Sequence, residues 1–223
     1  MTTPAHERRR FRRRSRRHVF VAVVVLGVGL VVGVAFGKDF RTEVSAATAY
    51  VALCCVALSL MIGPVNALRG RVTPVSSDLR RDLGIWGGFV GLLHVGVGLT
   101  VHFRGRMYEY FFAPSAAHAA LPIRLDVFGA ANYFGLIGGG ILLILLSLSN
   151  DLALRQLGAV RWKRWQRLNY AGAIAILVHG ALYQTLERRQ AAFVAVFLVI
   201  VLTTVGIQGL RARMVRRKRS FPS

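Results

Sequence analysis

Six apolar runs, each about as long as a lipid bilayer is thick, divide this 223-residue chain. The hydrocarbon layer of a bilayer is ~30 Å deep and is crossed by about 20 helical residues. No run contains Asp, Glu, Lys or Arg, and none alternates in polarity as the strand of a membrane β-barrel would. We therefore predict an all-α fold, an integral membrane bundle of six helices. The predicted spans are Val19–Gly37, Ala46–Gly63, Leu83–His102, Gly129–Leu148, Leu168–Leu186 and Ala191–Leu210.

The charged residues are concentrated between these apolar runs. The chain carries 30 Lys and Arg against 9 Asp and Glu, a net charge of +21, yet 54% of its residues are hydrophobic. So much apolar sequence excludes a disordered basic protein. Because the bases flank the apolar runs instead of lining one face, we expect a lipid bilayer and no nucleic acid as partner. Neither GxGxxG nor GxxxxGK[ST] occurs, so we expect no nucleotide-binding domain in this chain.

The distribution of the bases predicts the orientation of the chain. The N-terminus, the second and fourth loops and the C-terminus together hold 23 bases and 4 acids, whereas the other three loops hold 7 bases and 5 acids. Because basic loops stay on the cytoplasmic side, we predict a multi-pass inner (plasma) membrane protein with both termini cytoplasmic. Residues 1–18 and 211–223 are the predicted basic cytoplasmic tails, on either side of a transmembrane domain, residues 19–210. The alternative for the first run is a cleaved signal, since Arg9-Arg10 loosely resembles a twin-arginine signal.

Two of the six histidines lie deep within predicted spans, where ionisable side chains are costly and usually functional. His94 and His179 each stand 11 residues past the predicted cytoplasmic start of their span. At 1.5 Å per residue, both lie ~16–17 Å from that edge, close to the membrane midplane. Two imidazoles at one height on parallel helices suit the two axial positions of a single b-type haem iron.

Small residues surround both histidines. In the third span, glycines and histidines follow one another at spacings of four, three, four and four, and so form one stripe. A porphyrin standing between helices needs small residues above and below its ligand, so we predict that Gly91, Gly98 and Gly172 contact the cofactor. The alternative is that the glycine stripe only lets helices pack closely, with no cofactor between them. The stripe consists of Gly87, Gly91, His94, Gly98 and His102.

The segments that precede the two histidines carry a family resemblance. Arg80–Trp86 reads RRDLGIW and is followed eight residues later by His94. It resembles the R-R-x-L-G-[LI] entry to the third helix of the ferric reductase-like transmembrane domain family. Leu157–Tyr170, followed by His179, is similar to that family's L-G…W-x-x-L-H-R-L-x-Y…H pattern. The resemblance is strongest to the MsrQ/YedZ haem-binding membrane subunits of the bacterial methionine sulfoxide reductase system.

The resemblance implies a haem-b protein that moves electrons across the membrane as a subunit of an oxidoreductase. It implies a cytoplasmic flavin reductase as donor, an extracytoplasmic reductase or metal ion as acceptor, and His94 and His179 as ligands of the outer haem. The family's inner-haem histidine falls on Gln166, which does not ligate haem iron, and fourteen residues before His94 stands Arg80. One haem is therefore expected.

A single haem near the midplane would have to receive electrons from FMN or a quinol close to the cytoplasmic surface. Gln166, Trp162 and Trp165 are at the right height to contact such a carrier, although membrane anchoring explains the tryptophans equally well. Two alternatives stay open. One is a haem-free membrane scaffold or assembly partner related to this family, and the other is a small transporter with His94 and His179 as a proton or metal relay.

Overall fold

The backbone is almost entirely helical in the part of the chain that the structure describes. The computed structural model describes residues 4–36, 39–70, 74–103, 105–113 and 122–220, and these contain seven α-helices and no strand beyond one isolated bridge. The predicted all-α class is therefore confirmed. The helices are α1 (Pro4–Phe36), α2 (Phe40–Leu68), α3 (Pro74–Gly98), α4 (Val127–Ser147), α5 (Asp151–Trp165), α6 (Leu168–Leu186) and α7 (Ala191–Ser220), with a short 3₁₀ turn at Met107–Tyr110.

Four of these helices are long and apolar enough to cross a membrane: α1 (within Ser15–Ala35), α2, α4 and α7 (within Ala191–Arg217). Apolar side chains on α1 and α7 are largely exposed, with Leu26 at 71% and Leu202 at 67% of their surface. Such faces are suited to contact lipid. The other two predicted spans correspond to α3 and α6, which are not among these four helices. A bundle of six membrane-spanning helices therefore stays a prediction.

The observed helix bounds follow local capping signals. The N-caps of α2, α4 and α5 are Asp39, Asp126 and Asn150, whose side chains accept hydrogen bonds from the backbone N–H three residues later. α6 has the predicted bounds, but α3 ends at Gly98, so the predicted helix as far as His102 is wrong at its end. The helix ends early because the N–H groups of Thr100 and Val101 bond to carbonyls three residues back, which starts a turn.

Further differences from the predicted spans concern length, and α3 itself begins at Pro74 instead of Leu83. α1 and α7 continue through residues 4–18 and 211–220, so the predicted basic tails extend existing helices. α2 runs past Pro64, a residue that removes the helical partner of the Leu60 carbonyl. Gln208 of α7 replaces that partner, since its Nε2 donates to the Leu60 oxygen at 3.0 Å. The proline is therefore tolerated inside α2, and the Gln208 hydrogen bond joins α7 to α2.

The predicted loop between the fourth and fifth spans contains the helix α5. It bends at Gly158, which has φ = +70°, a conformation that favours glycine. The indole of Trp162 donates to the Leu148 carbonyl at 2.8 Å and so fastens the helix to the end of α4. The sequence pattern missed α5 because its side chains are mostly exposed and show no apolar stripe.

The bundle is organised around the tightly packed pair α2 and α3. α1 and α7 pack on α2, and α4 packs on both α3 and α6. A Cβ atom on Gly87 of α3 would lie 3.0 Å from Val56 Cγ2 and 3.2 Å from Val56 N on α2. Part of the glycine stripe therefore allows close helix packing. Val21, Val51, Ala52, Cys55, Leu83 and Val90 form the core between α1, α2 and α3.

Ion pairs join the helix ends that carry the basic segments. Asp82 at the start of α3 is only 2% exposed, and Arg17 Nε of α1 lies 3.0 Å from its Oδ2. His18 Nε2 lies 3.5 Å from the other carboxylate oxygen. Arg81 pairs with Asp151 at 2.9 Å. The N-terminal helix, the start of α3 and the start of α5 therefore lie at one end of the bundle, which we call the basic end.

The substitution Arg17→Gln is expected to destabilise the fold by about 3 kcal/mol, because it leaves the buried Asp82 carboxylate without its arginine. Arg16 is exposed and belongs to the same helix turn, so Arg16→Gln is the matched control and should change stability by less than about 0.5 kcal/mol. Denaturant unfolding in detergent micelles measures both. Equal losses in the two variants would show that general charge, not the Asp82 pair, is responsible.

Candidate functional site

A cavity of about 230 Å³ lies inside the bundle between α2, α3, α4 and α6, with Phe197 of α7 at one side. Its lining is mainly apolar, as in small-molecule pockets of other proteins. Among the described residues, both His94 and His179 line it. The cavity therefore contains the two histidines that the sequence singles out.

His94 is held by the neighbouring helix α2. Its Nδ1 lies 2.9 Å from the backbone oxygen of Ser45. A carbonyl oxygen only accepts, so Nδ1 carries the hydrogen and donates it. In the neutral ring this leaves Nε2 with an available lone pair, the state in which histidine binds a metal.

His179 has an equivalent arrangement on the opposite side of the cavity. Its Nδ1 donates to the Ala131 oxygen of α4 at 2.8 Å, which again leaves Nε2 as the basic nitrogen. A Cβ atom on Gly135 of α4 would lie 2.7 Å from this Nδ1, so only glycine admits the ring here. The Tyr183 ring, one turn further along α6, lies 4.8 Å from the His179 ring.

The two imidazole rings lie next to each other in an edge-to-face arrangement. Their centres are 6.1 Å apart and their planes make an angle of 69°. Two metal–nitrogen bonds of ~2 Å in line, with each ring centre a further ~1 Å away, would separate the centres by about 6 Å. The common height that the sequence predicts for His94 and His179 agrees with this placement, while their role as ligands stays a prediction.

A second contact joins the segments that directly follow α3 and α6, further from the basic end. His102 and Glu187 stand eight residues beyond His94 and His179, respectively, and His102 Nε2 lies 3.0 Å from a Glu187 carboxylate oxygen. His102, Glu187 and Arg189 all line the cavity. We call this region, which contains the ion pair, the mouth of the cavity. The sequence indicated no role for these three residues. The equal interval of eight residues from His94 to His102 and from His179 to Glu187 is visible in the sequence.

The described part of the segment between α3 and α4, residues 99–103, 105–113 and 122–126, contributes Tyr110 to the mouth. Tyr110 is 2% exposed, and its hydroxyl donates to the Gly98 oxygen at 2.8 Å and accepts from the His102 N–H at 2.9 Å. Burial raises the pKa of this tyrosine, so its hydroxyl keeps its proton and can donate. The guanidinium of Arg124 lies over the Phe103 and Phe128 rings, 5.4 and 5.1 Å from their centres.

The predicted cofactor-contacting glycines occupy different places. Gly91 and Gly98 line the cavity, whereas Gly172 is not among its described lining residues. A Cβ atom on Gly98 would meet His94 Cε1 at 3.9 Å, an ordinary contact. A Cβ atom on Gly172 would lie 2.8 Å from Ile141 Cγ2, so this glycine lets α6 pack on α4. Their contact with a cofactor stays a prediction.

The predicted carrier-contacting residues lie toward the basic end. Gln166 follows α5 directly, and its Nε2 is buried without a hydrogen-bond partner among the described residues. Trp165 is 48% exposed. Within the part of the chain that is described, no group of three or more His, Cys, Asp or Glu side chains could hold a metal ion.

Comparison with known proteins adds no assignment. The chain matches no protein-family model and no curated protein.

Proposed function

We propose that this protein is an integral-membrane carrier of one b-type haem, related to the ferric reductase-like transmembrane domains, with His94 and His179 as axial ligands. The observation that carries the proposal is the pair of imidazoles, 6.1 Å apart in an apolar cavity. Each ring has its Nδ1 hydrogen bonded to a backbone carbonyl, so each offers Nε2 as a ligand.

The two imidazole nitrogens of His94 and His179 favour a metal that is already bound in a macrocycle. Two imidazoles supply two ligands, and no third side chain completes a metal site among the described residues. A porphyrin contributes four nitrogen donors, so iron bound in it needs only the two axial ligands that this chain offers. Haem b, when bound, would carry one electron at a time by changing between ferrous and ferric iron.

The residues around the histidines would control the environment of the group. The Ser45 and Ala131 carbonyls fix the tautomer and orientation of each ring and make Nε2 a stronger donor. The apolar lining excludes water and lowers the local dielectric constant. Tyr110, bonded to the Gly98 carbonyl, lines the cavity on the side away from the basic end.

The proposal includes a membrane arrangement. α3 and α6 cross the inner membrane together with α1, α2, α4 and α7, and both termini are cytoplasmic. The ion pairs of Arg17 and Arg81 support it, since they bring three basic segments to one end of the bundle. Electrons would enter at this end from a flavin (FMN), a quinol or a flavin reductase, and leave beyond the mouth to an extracytoplasmic acceptor.

A haem-free scaffold or assembly partner is the second candidate. It is favoured by Gly87 and Gly172, since both bring helices into close contact without any cofactor. A scaffold role does not explain why the two imidazoles are paired with their Nδ1 atoms bonded to carbonyls. We therefore rank it second. One iron per chain in the purified protein would exclude it.

The protein purified from haem-supplied cells is expected to show the reduced α-band of low-spin haem b after dithionite is added. His94→Ala and His179→Ala each remove one axial nitrogen, so each should abolish the low-spin spectrum. His18→Gln is the control, because His18 lies at the basic end beside Asp82, and its spectrum should match the wild type. A colourless wild-type preparation, or unchanged spectra in both alanine variants, contradicts the proposal.

Gly135→Ala is expected to lower haem affinity by about tenfold or more, as loss of a ligand's supporting contacts does in other metal sites. The new Cβ would lie 2.7 Å from His179 Nδ1, so the ring must move and its bond to Ala131 must lengthen. Gly140→Ala is the matched control on the same helix, since a Cβ there meets nothing within 4 Å. Haem titration of the apoproteins gives both affinities, and equal affinities would reject this role of Gly135.

A further inference from the structure

The connection between α4 and α6 begins and ends at one height in the bundle. Gly135 of α4 lies against His179 of α6. Further along α4, Ile141 lies against Gly172, which comes earlier in α6. The two helices are therefore antiparallel, and the same register puts the end of α4 level with the start of α6. The helix α5, which connects them, leaves this height and returns to it.

Helical rise limits how far α5 can project from the end of α4. A straight helix of its 15 residues would end about 22 Å from its start. α5 instead bends at Gly158, and beyond the bend the Trp162 indole donates to the Leu148 carbonyl at the end of α4. Each arm on either side of the bend is about 10 Å long at 1.5 Å per residue. The whole of α5 therefore lies within about 10 Å of the end of α4.

The end of α4 lies at a membrane surface when this helix crosses the bilayer. α4 is one of the four helices that are long and apolar enough to do so. Polar residues follow its apolar run directly, namely Ser149, Asn150 and Asp151. The headgroup layer on each side of the hydrocarbon is about 5–7 Å thick. α5 therefore lies within the lipid headgroups or directly beside them.

The surface of α5 carries positive charge. Its one acid, Asp151, pairs with Arg81 of α3 at 2.9 Å. Its bases and the one that follows it are exposed, and none forms an ion pair within the part of the chain that is described. Positive charge at this distance from a bilayer attracts the phosphates of anionic lipids. The bases are Arg155, Arg161, Lys163, Arg164 and Arg167.

Exposed apolar side chains stand between these bases. Val160 is 78% and Trp165 is 48% exposed. An indole prefers the headgroup level of a bilayer, and the long stems of arginine and lysine let their charges reach phosphates while apolar neighbours enter the layer. An acidic protein surface would satisfy the bases alone. The height of α5 and its exposed valine and tryptophan favour lipid.

We infer that α5 is an interfacial helix whose bases bind the phosphate headgroups of anionic phospholipids at the basic end. This interaction surface is separate from the histidine cavity and goes beyond the haem proposal. It requires only that α4 crosses a bilayer. The bend at Gly158 and the Trp162 hydrogen bond hold the helix against the membrane surface.

The test measures which lipid surrounds α5 from the fluorescence of its own tryptophans. The chain has three tryptophans, so Trp86→Phe leaves Trp162 and Trp165, both in α5. This variant is reconstituted into phosphatidylcholine vesicles that contain a small fraction of acyl-brominated phosphatidylglycerol or, separately, of acyl-brominated phosphatidylcholine. Quenching should show about a tenfold preference for the anionic lipid, because each base at such a surface contributes up to about fivefold and salt screens part of it.

Two double variants in the Trp86→Phe background make the result specific. Lys163→Gln with Arg164→Gln removes two bases of α5 and should lower the preference to about twofold. Arg213→Gln with Arg217→Gln is the matched control, since it removes two exposed bases from α7, which runs parallel to α2 toward the same end. The control should keep the preference. All four side chains are exposed, so denaturant unfolding should be unchanged in both variants.

Three outcomes would overturn the inference. Equal quenching by the two brominated lipids in the Trp86→Phe protein would leave the bases of α5 for an acidic protein surface. Equal losses in the α5 and α7 variants would assign the preference to total charge. Inorganic phosphate should weaken the preference no more than chloride of equal ionic strength, and stronger competition would make a soluble phosphate the ligand. None of these outcomes changes the haem spectrum, so the proposed function is tested separately.

Discussion

The alignment of α3 and α6 across the cavity is the constraint on which the candidate site depends. Two contacts at two heights define it: the His94 and His179 rings, 6.1 Å apart, and the His102–Glu187 ion pair at 3.0 Å. Both intervals along the chain are eight residues. The ring pair lies within the two helices, and the ion pair lies just beyond the ends of both. A slip of one residue would displace the rings by ~1.5 Å and turn one of them away.

Neighbouring helices, more than direct contact, hold this alignment. α2 approaches α3 closely at Gly87, and α4 approaches α6 closely at Gly172. The same two neighbours supply the carbonyls that bind the histidines, since Ser45 lies on α2 and Ala131 lies on α4. Packing therefore positions each ring and also selects its tautomer. This explains why small residues are useful in this chain even where they do not line the cavity.

The sequence predicted the helical class, the bounds of α6 and the placement of His94 near His179, because apolar length and helical rise are local quantities. It did not predict α5, whose apolar side chains form no stripe. Nor did it predict Gly135, since the need for glycine arises from the His179 ring on another helix. Pro64 inside α2 likewise depends on Gln208 of α7. What was missed depends on contacts between distant segments.

The distribution of polar groups along the site has a physical origin. α3 and α6 were predicted as spans, but they are not among the four helices that are long and apolar enough to cross a membrane. Polar side chains lower their hydropathy, chiefly Arg81, Asp82 and His94 in α3 and Asn169, His179 and Gln184 in α6. Polar groups are tolerated inside a bundle when they line a cavity and have hydrogen-bond partners, as Tyr183 has in Asn132. Uncharged polar groups stand within the cavity, and the charges of Glu187 and Arg189 stand at its mouth. That gradient gives the cavity one charged end and one uncharged end.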